Sequence, residues 1–193
     1  LLARRYQGKL DDEADRFIRH TVEGATRMQS LLTDLLAYLQ LDMGEHDRGA
    51  VPCEEILEAV LSDLHTTITA TAAVITHDPL PTVQGNGTHL ALVFRNLIEN
   101  ALTFRQAAPP RVHVWAEQRD EAWLFAVRDQ GIGIEPGYAE RIFLMFERLH
   151  TQTEYPGTGM GLTLCKKIVE RHGGEIWVES QFGEGATFYF TIP

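Results

Sequence analysis

Asp129-Gln130-Gly131-Ile132-Gly133-Ile134 and Gly157-Thr158-Gly159-Met160-Gly161-Leu162 decide the fold between them. The first stretch follows Ala122 to Arg128, where Trp123, Phe125 and Val127 alternate with Leu124 and Ala126, the period of two expected of a β-strand. An aspartate ending such a strand can accept a hydrogen bond from an amine. Glycines one residue apart let the backbone approach a flat ligand closely. The second stretch opens a helical pattern from about Thr158 to His172, with apolar Leu162, Leu164, Ile168 and Val169. Glycines at a helix start leave bare N–H groups at the positive end of the helix dipole, where phosphate binds. Together the two imply a purine-nucleotide pocket with separate base and phosphate ends.

Either glycine run alone is an ordinary turn signal, and neither fits a common phosphate loop. No Gly-Lys-Ser/Thr occurs, so a P-loop is excluded. A dinucleotide-binding fold would need parallel strand–helix alternation downstream, whereas the pattern here is helix, strand, hairpin. A third element joins them: a helix between Thr88 and Arg105 with the stripe Leu90, Val93, Leu97 and Ala101. Asn96 and Asn100 lie four residues apart on it, hence on one face. Amide oxygens are hard, neutral ligands, suited to a hydrated Mg²⁺ and triphosphate oxygens.

These stretches, in this order, resemble a sensor histidine kinase: the end of its dimerisation helices plus the whole ATP-binding catalytic domain. Asn96-Leu-Ile-Glu-Asn100-Ala is similar to the family's N box, and Asp129-Gln-Gly-Ile-Gly to its first glycine box. Phe143-Leu-Met-Phe146-Glu-Arg is similar to the F box, and Gly157-Thr-Gly-Met-Gly-Leu to the second glycine box. The resemblance covers essentially the entire chain. It implies an α+β chain: residues 1–46 the C-terminal part of an antiparallel helical hairpin for dimerisation and phosphotransfer, and 47–193 an α/β sandwich with helices on one face of a mixed sheet.

The rest of the chain agrees. A length of 193 residues with 44% hydrophobic content suits one or two domains. The net charge of −10 argues against a nucleic-acid surface, which needs Lys and Arg to neutralise phosphates. Cys53 and Cys165 read as isolated, reduced core thiols. No apolar run reaches membrane-spanning length and no signal peptide is visible, pointing to a cytoplasmic segment without direct membrane contact, free or inside a larger sensor. A start at Leu-Leu suggests a fragment.

Residues 1–8 read as a helix end, and Asp11 or Asp12 as the cap of a helix running to about Met43. Three columns at seven-residue spacing stripe it: Ile18, Ala25, Leu32, Leu39; Thr21, Met28, Leu35; and Phe17, Gly24, Leu31, Tyr38. So wide a stripe fits a four-helix bundle, hence a homodimer of hairpins. Beyond it the pattern reads as a linker and short strand over 44–51, then Pro52 opening a helix with Ile56, Leu57, Val60, Leu64 and Ile68. Strands are expected at Ala73–Thr76, Arg111–Gln118 and Ala122–Arg128, and a short helix around Pro136–Ile142. A closing hairpin pairs Glu175–Ser180 with Ala186–Ile192. Residues 147–158 lack periodicity and read as a lid.

The resemblance also assigns roles. It implies ATP and Mg²⁺ as cofactors, with Asp129 accepting from the adenine amino group and Gly131 and Gly133 closing the backbone on the base. Asn100 would hold Mg²⁺, with Asn96 beside it at the phosphates. Gly157, Thr158, Gly159, Gly161 and Leu162 would frame the triphosphate, and Arg148 would reach it. His150 is a further candidate. Asn96 and Arg148 are the residues assigned to the transfer itself. The family's basic residue three positions after the second asparagine is Thr103 here, leaving that contact open unless Arg105 substitutes. Related ATPases carry a glutamate at the Asn96 position to activate water; an amide cannot act as a base. That favours phosphoryl transfer to a histidine and then to the aspartate of a response-regulator receiver domain. His20 lacks the acidic and proline neighbours of the family's phosphoacceptor, which is therefore expected upstream of Leu1. The alternative is a dimerisation and interaction module that has lost kinase activity.

Overall fold

In the computed structural model the described residues are 6, 8–9, 11–43, 48–149, 155 and 157–193. The chain divides into two compact units, Leu1–Asp42 and Met43–Pro193.

The first unit is dominated by helix α1, Asp12–Met43. Asp11 caps it, its Oδ1 accepting from the Ala14 N–H at 2.8 Å. Acidic Asp12, Glu13 and Asp15 fill the first turn, where the helix dipole favours negative charge. Ile18 is buried, but Phe17, Met28, Leu32, Leu36 and Leu39 are exposed. The stripe is therefore largely wet in a single chain. His20 is exposed too.

The second unit opens with β1 (Gly49–Pro52), α2 (Cys53–Asp63) and α3 (His65–Thr71). Pro52 is the extended residue before α2, φ −72° and ψ 99°, rather than its first helical residue. The single helix expected over Ile56–Ile68 is split: Leu64, at ψ 0°, caps one helix and starts the next, and its buried side chain pins the joint. Next come β2 (Val74–His77), β3 (Thr82–Gly85), α4 (Gly87–Thr103), β4 (Arg111–Arg119) and β5 (Ala122–Asp129). A single 3₁₀ turn, Arg141–Phe143, stands where a short helix was expected. The chain ends with α5 (Gly161–Arg171), β6 (Ile176–Gln181) and β7 (Gly185–Ile192). Strand β3, which directly follows Pro81 and was not among the expected strands, pairs antiparallel with β1.

The main sheet is mixed, in the order β2-β4-β5-β7-β6, with only β2 and β4 parallel. Helices α4 and α5 bury their stripes on one face of it. Phe94 of α4 meets Phe125 and Phe190 edge-on at 5.9 and 5.7 Å, while those two rings stack on neighbouring strands at 4.9 Å. On the other face Trp115, Tyr189 and Trp177 form a second aromatic layer. Central strand β5 is thus covered on both sides, which is why Leu124, Phe125, Ala126 and Val127 are all buried despite their alternation.

Cys53 and Cys165 are free, buried thiols, and burial pushes Cys53 up to about 12. Among the described residues no helix is long and apolar enough to cross a membrane. His172 ties the end of α5 to the start of α4: its Nδ1–H donates to Ile168 O at 2.8 Å and its Nε2 accepts from Asn86 N at 3.1 Å. That pairing requires the neutral ring.

Phe94→Ala should remove the contact joining α4 to the sheet and destabilise the unit by about 3–5 kcal/mol. Urea unfolding checks it; a loss below about 1 kcal/mol would show that the core does not depend on that ring.

Candidate nucleotide-binding site

Asp129 ends β5 at the centre of the sheet. Its Oδ1 accepts from Gly131 N at 2.7 Å and Ala186 N at 3.3 Å. Burial raises its pKa above the ordinary aspartate range, and the two backbone donors pull it partly back. Oδ2 has no partner among the described residues and remains an acceptor. The Ala186 donor was not legible in the sequence, because it comes from the far end of a hairpin.

The glycines have a structural role beside the one expected toward a ligand. A Cβ on Gly131 would lie 2.3 Å from Phe104 O, and one on Gly133 2.2 Å from Gln181 O. Across the hairpin, a Cβ on Gly185 would lie 2.3 Å from Asp129 O. Three backbone segments are pressed together here, and only glycine lets them meet. The glycines are demanded first by the protein's own packing, which builds the wall of the pocket.

Two hydrogen bonds join this loop to its neighbours: Ile132 N donates to Phe104 O at 3.0 Å, and Gly183 N to Ile132 O at 2.8 Å. Gln106 adds a side-chain link, its Nε2 donating to Gly131 O at 3.0 Å and Gly183 O at 2.9 Å. Nothing in the sequence marked Gln106, since it follows the helix without periodicity.

On α4, Asn96 and Asn100 share a face but differ in state. Asn96 Nδ2 donates to Leu92 O at 2.8 Å, and a Cβ on Gly161 would lie 2.5 Å from Asn96 Oδ1. Asn96 is therefore packed against the start of α5. Asn100 makes no side-chain hydrogen bond among the described residues, so its carboxamide is available to a ligand. Thr103 ends α4, and neither it nor Arg105 makes a side-chain hydrogen bond or ion pair among the described residues.

Helix α5 begins at Gly161, so Gly157, Thr158 and Gly159 precede it as a loop instead of opening it at Thr158. Gly157 (φ 150°) and Gly159 (φ 77°) take backbone angles that side-chain-bearing residues disfavour. Thr158 Oγ1 accepts from Met160 N at 3.3 Å, and Leu162 follows in the first turn. The hydroxyl of Thr163, one residue on, is the only orphaned buried side-chain polar atom among the described residues. Arg148 is engaged with backbone, donating to Gly157 O and Tyr155 O at 2.7 Å each. Tyr155 in turn packs on Phe104, ring centroids 5.1 Å apart. Most of the expected lid, 147–158, including His150, lies outside the described residues.

One end of the site thus offers a partly buried acceptor beside backbone walls, while α4 carries an open amide at Asn100 and, one turn earlier, Asn96 against the start of α5. Residues 85–193 match the family model described as histidine kinase-, DNA gyrase B-, and HSP90-like ATPase. The chain belongs to that family. Its ATP-binding domain is of the histidine-kinase type: over 193 residues it is 53% identical to cyanobacterial phytochrome A of a Nostoc species, covering all of this chain and 25% of that one. Full-length ShkA, solved with AMPPNP, aligns over 100% of this chain and 40% of its own at 27% identity, with a TM-score of 0.75. Histidine kinase ThkA in complex with response regulator TrrA shares the fold at a TM-score of 0.72, with 23% identity over 97% of this chain and 54% of its own. The chain spans about a quarter of the length of the first curated relatives it matches.

Asp129→Asn should separate binding from stability in this kinase-type domain. If the Asn oxygen keeps the Gly131 and Ala186 donors, its NH₂ group faces the ligand amine, donor against donor. We expect affinity for ADP to fall at least about tenfold while the melting temperature holds or rises, because a buried charge has been removed. The raised pKa sets the sign with pH: the wild type is relatively most stable at low pH and loses that advantage as pH rises through the folded-state pKa of Asp129. The variant's gain should therefore grow with pH. Calorimetric titration and thermal melts across pH check both parts; undiminished affinity would contradict the acceptor role.

Proposed function

We propose that this chain is the nucleotide-binding and phosphoryl-donor part of a sensor histidine kinase, acting with Mg²⁺-ATP on a histidine outside the described residues. The observation that carries it is the free Oδ2 of Asp129, positioned by two backbone donors. It suits the exocyclic amine of adenine; the carbonyl that guanine carries there would meet a second acceptor.

The residues at the other end fit a metal–triphosphate. Among the described residues no group of three or more His, Cys, Asp or Glu could hold a metal ion. Mg²⁺ commonly uses one or two protein ligands together with substrate phosphates and water, and the free carboxamide of Asn100 fits that mode. Asn96 flanks it against Gly161. Gly157, Thr158, Gly159, Gly161 and Leu162 frame the phosphate end, where the start of α5 favours negative charge. Arg148, once released from the Gly157 and Tyr155 carbonyls, carries a positive charge to the same place.

Bound Mg²⁺-ATP supplies the transferable phosphoryl group. The chain's own residues position it and spread its charge, which is most of what phosphoryl transfer needs. Asn96, being an amide, provides no base for water, so the site holds the nucleotide for transfer instead of hydrolysing it quickly. Arg105 is near enough in sequence to take the part left open by Thr103.

Residues 1–46 are, in this reading, the later part of a dimerisation hairpin, and 47–193 the catalytic domain. The exposed Phe17, Met28, Leu32, Leu36 and Leu39 of α1 support a homodimer, since each such side chain gains roughly 1.5–3 kcal/mol when fully buried. A response-regulator receiver domain is the onward acceptor; the ThkA–TrrA complex lends this its support. The phosphoacceptor lies on a helix preceding α1. His20 is passed over for lack of acidic and proline neighbours, and His77, which has both in Asp78 and Pro79, ends a β-strand and faces Glu54 at 3.4 Å.

Two measurements test this. Asn100→Ala should weaken Mg²⁺-ATP at least about tenfold and metal-free ATP much less; equal losses would contradict the metal role. With γ-labelled ATP, the chain extended on its N-terminal side should carry phosphohistidine on the added helix. Labelling at His20 would overturn the assignment.

A further inference from the structure

We propose that Gln106 is a positioning residue for base recognition, a role that rests on the nucleotide pocket described above. Its carboxamide holds the Asp129 acceptor in register with the metal-binding helix.

The connection runs through one residue, Gly131, and the two peptide units that meet at its Cα. Gly131 uses its N–H to hold Asp129 Oδ1 at 2.7 Å, and its carbonyl accepts from Gln106 Nε2 at 3.0 Å. The second hydrogen of the same NH₂ group points to Gly183 O at 2.9 Å, in the β6–β7 turn. That turn leads within three residues to Ala186, the other donor on Asp129 Oδ1. Both backbone groups that orient the carboxylate therefore belong to segments clipped together by Gln106. Gln106 itself follows α4, three residues beyond Thr103, and α4 carries Asn100.

The other links between these segments, Phe104 O with Ile132 N and Ile132 O with Gly183 N, are backbone to backbone. They fix the loop's middle but leave the Gly131 carbonyl without a partner of its own. An amide NH₂ is the one uncharged side-chain group with two donors on a single atom, which is what two facing carbonyls require. Without it the 131–132 peptide is held only by Ile132 N on Phe104 O, and the flexible Gly131 Cα lets the preceding 130–131 peptide turn so that its N–H leaves Asp129 Oδ1. The freed carboxylate then no longer presents Oδ2 along one direction.

The effect should appear at the base end alone. Gln106→Ala should weaken adenosine, ADP and Mg²⁺-ATP by the same factor, about threefold to tenfold for the loss of the paired hydrogen bonds. In the full-length kinase the KM for ATP should rise by that factor while kcat stays put. Gln106→Glu keeps the shape but turns an acceptor oxygen toward both carbonyls, so it should bind at least as weakly as the alanine variant. A merely structural role would not move these constants, because well below the melting transition nearly all molecules remain folded in either case. Calorimetric titration of the chain with adenosine, ADP and Mg²⁺-ATP reads all of this. Wild-type affinity in either variant, or a loss confined to ATP, would overturn the role of Gln106 while leaving the pocket intact. Failure of the wild-type chain to bind any of the three would overturn the pocket and this role together.

Discussion

The pocket depends on a carboxylate placed where a carboxylate is costly. Asp129 ends the central strand of the sheet, with burial raising its pKa and only two backbone N–H groups offsetting the cost. Those donors come from residues far apart in sequence, Gly131 and Ala186. They can reach it only because the backbone carbonyls of Phe104, Gln181 and Asp129 itself press against glycines. The packing of α4, the β5 loop and the β6–β7 hairpin is thus a single arrangement around one side chain. Its remaining oxygen is what the arrangement exposes to a ligand.

Much of this was legible in sequence because the decisive residues are local. The alternation in Ala122–Arg128, the Asn96–Asn100 spacing and the glycine stretches each lie within one element, so period and spacing reveal them. The hidden parts depend on partners distant in the chain. Gly131 and Gly133 were expected to admit a ligand, and the carbonyls of Phe104 and Gln181 that also crowd the space where a Cβ would stand belong to distant parts of the chain. Strand β3 has only four residues beside prolines and acquires its identity from pairing with β1. The break at Leu64 and the late start of α5 at Gly161 are backbone events within otherwise continuous apolar patterns. Gln106 sits in no pattern at all, and only the folded chain shows its two carbonyls.

The two units stand on different footings. Residues of the second bury a complete core, with Phe94, Phe125 and Phe190 at its centre. Helix α1 in the first leaves six large apolar side chains in water, Val22 among them, a surface that the proposed dimer would cover. The first two phytochrome relatives that the chain matches are about four times its length. In the proposed reading, the nucleotide site is the phosphoryl donor and the exposed helical face a dimerisation surface.

The central claim is that Asp129 Oδ2 receives the adenine amine. Carbon-13 NMR of the Asp129 carboxyl, titrated with pH in the free and ADP-saturated chain, tests it most directly. The free chain should show a pKa above the ordinary aspartate range. Saturation should lower it, because a donor to the ionised form favours that form. By linkage, nucleotide affinity should then fall as pH drops through the free-state value. A carboxyl that titrates at the same pH with and without saturating nucleotide would contradict the account.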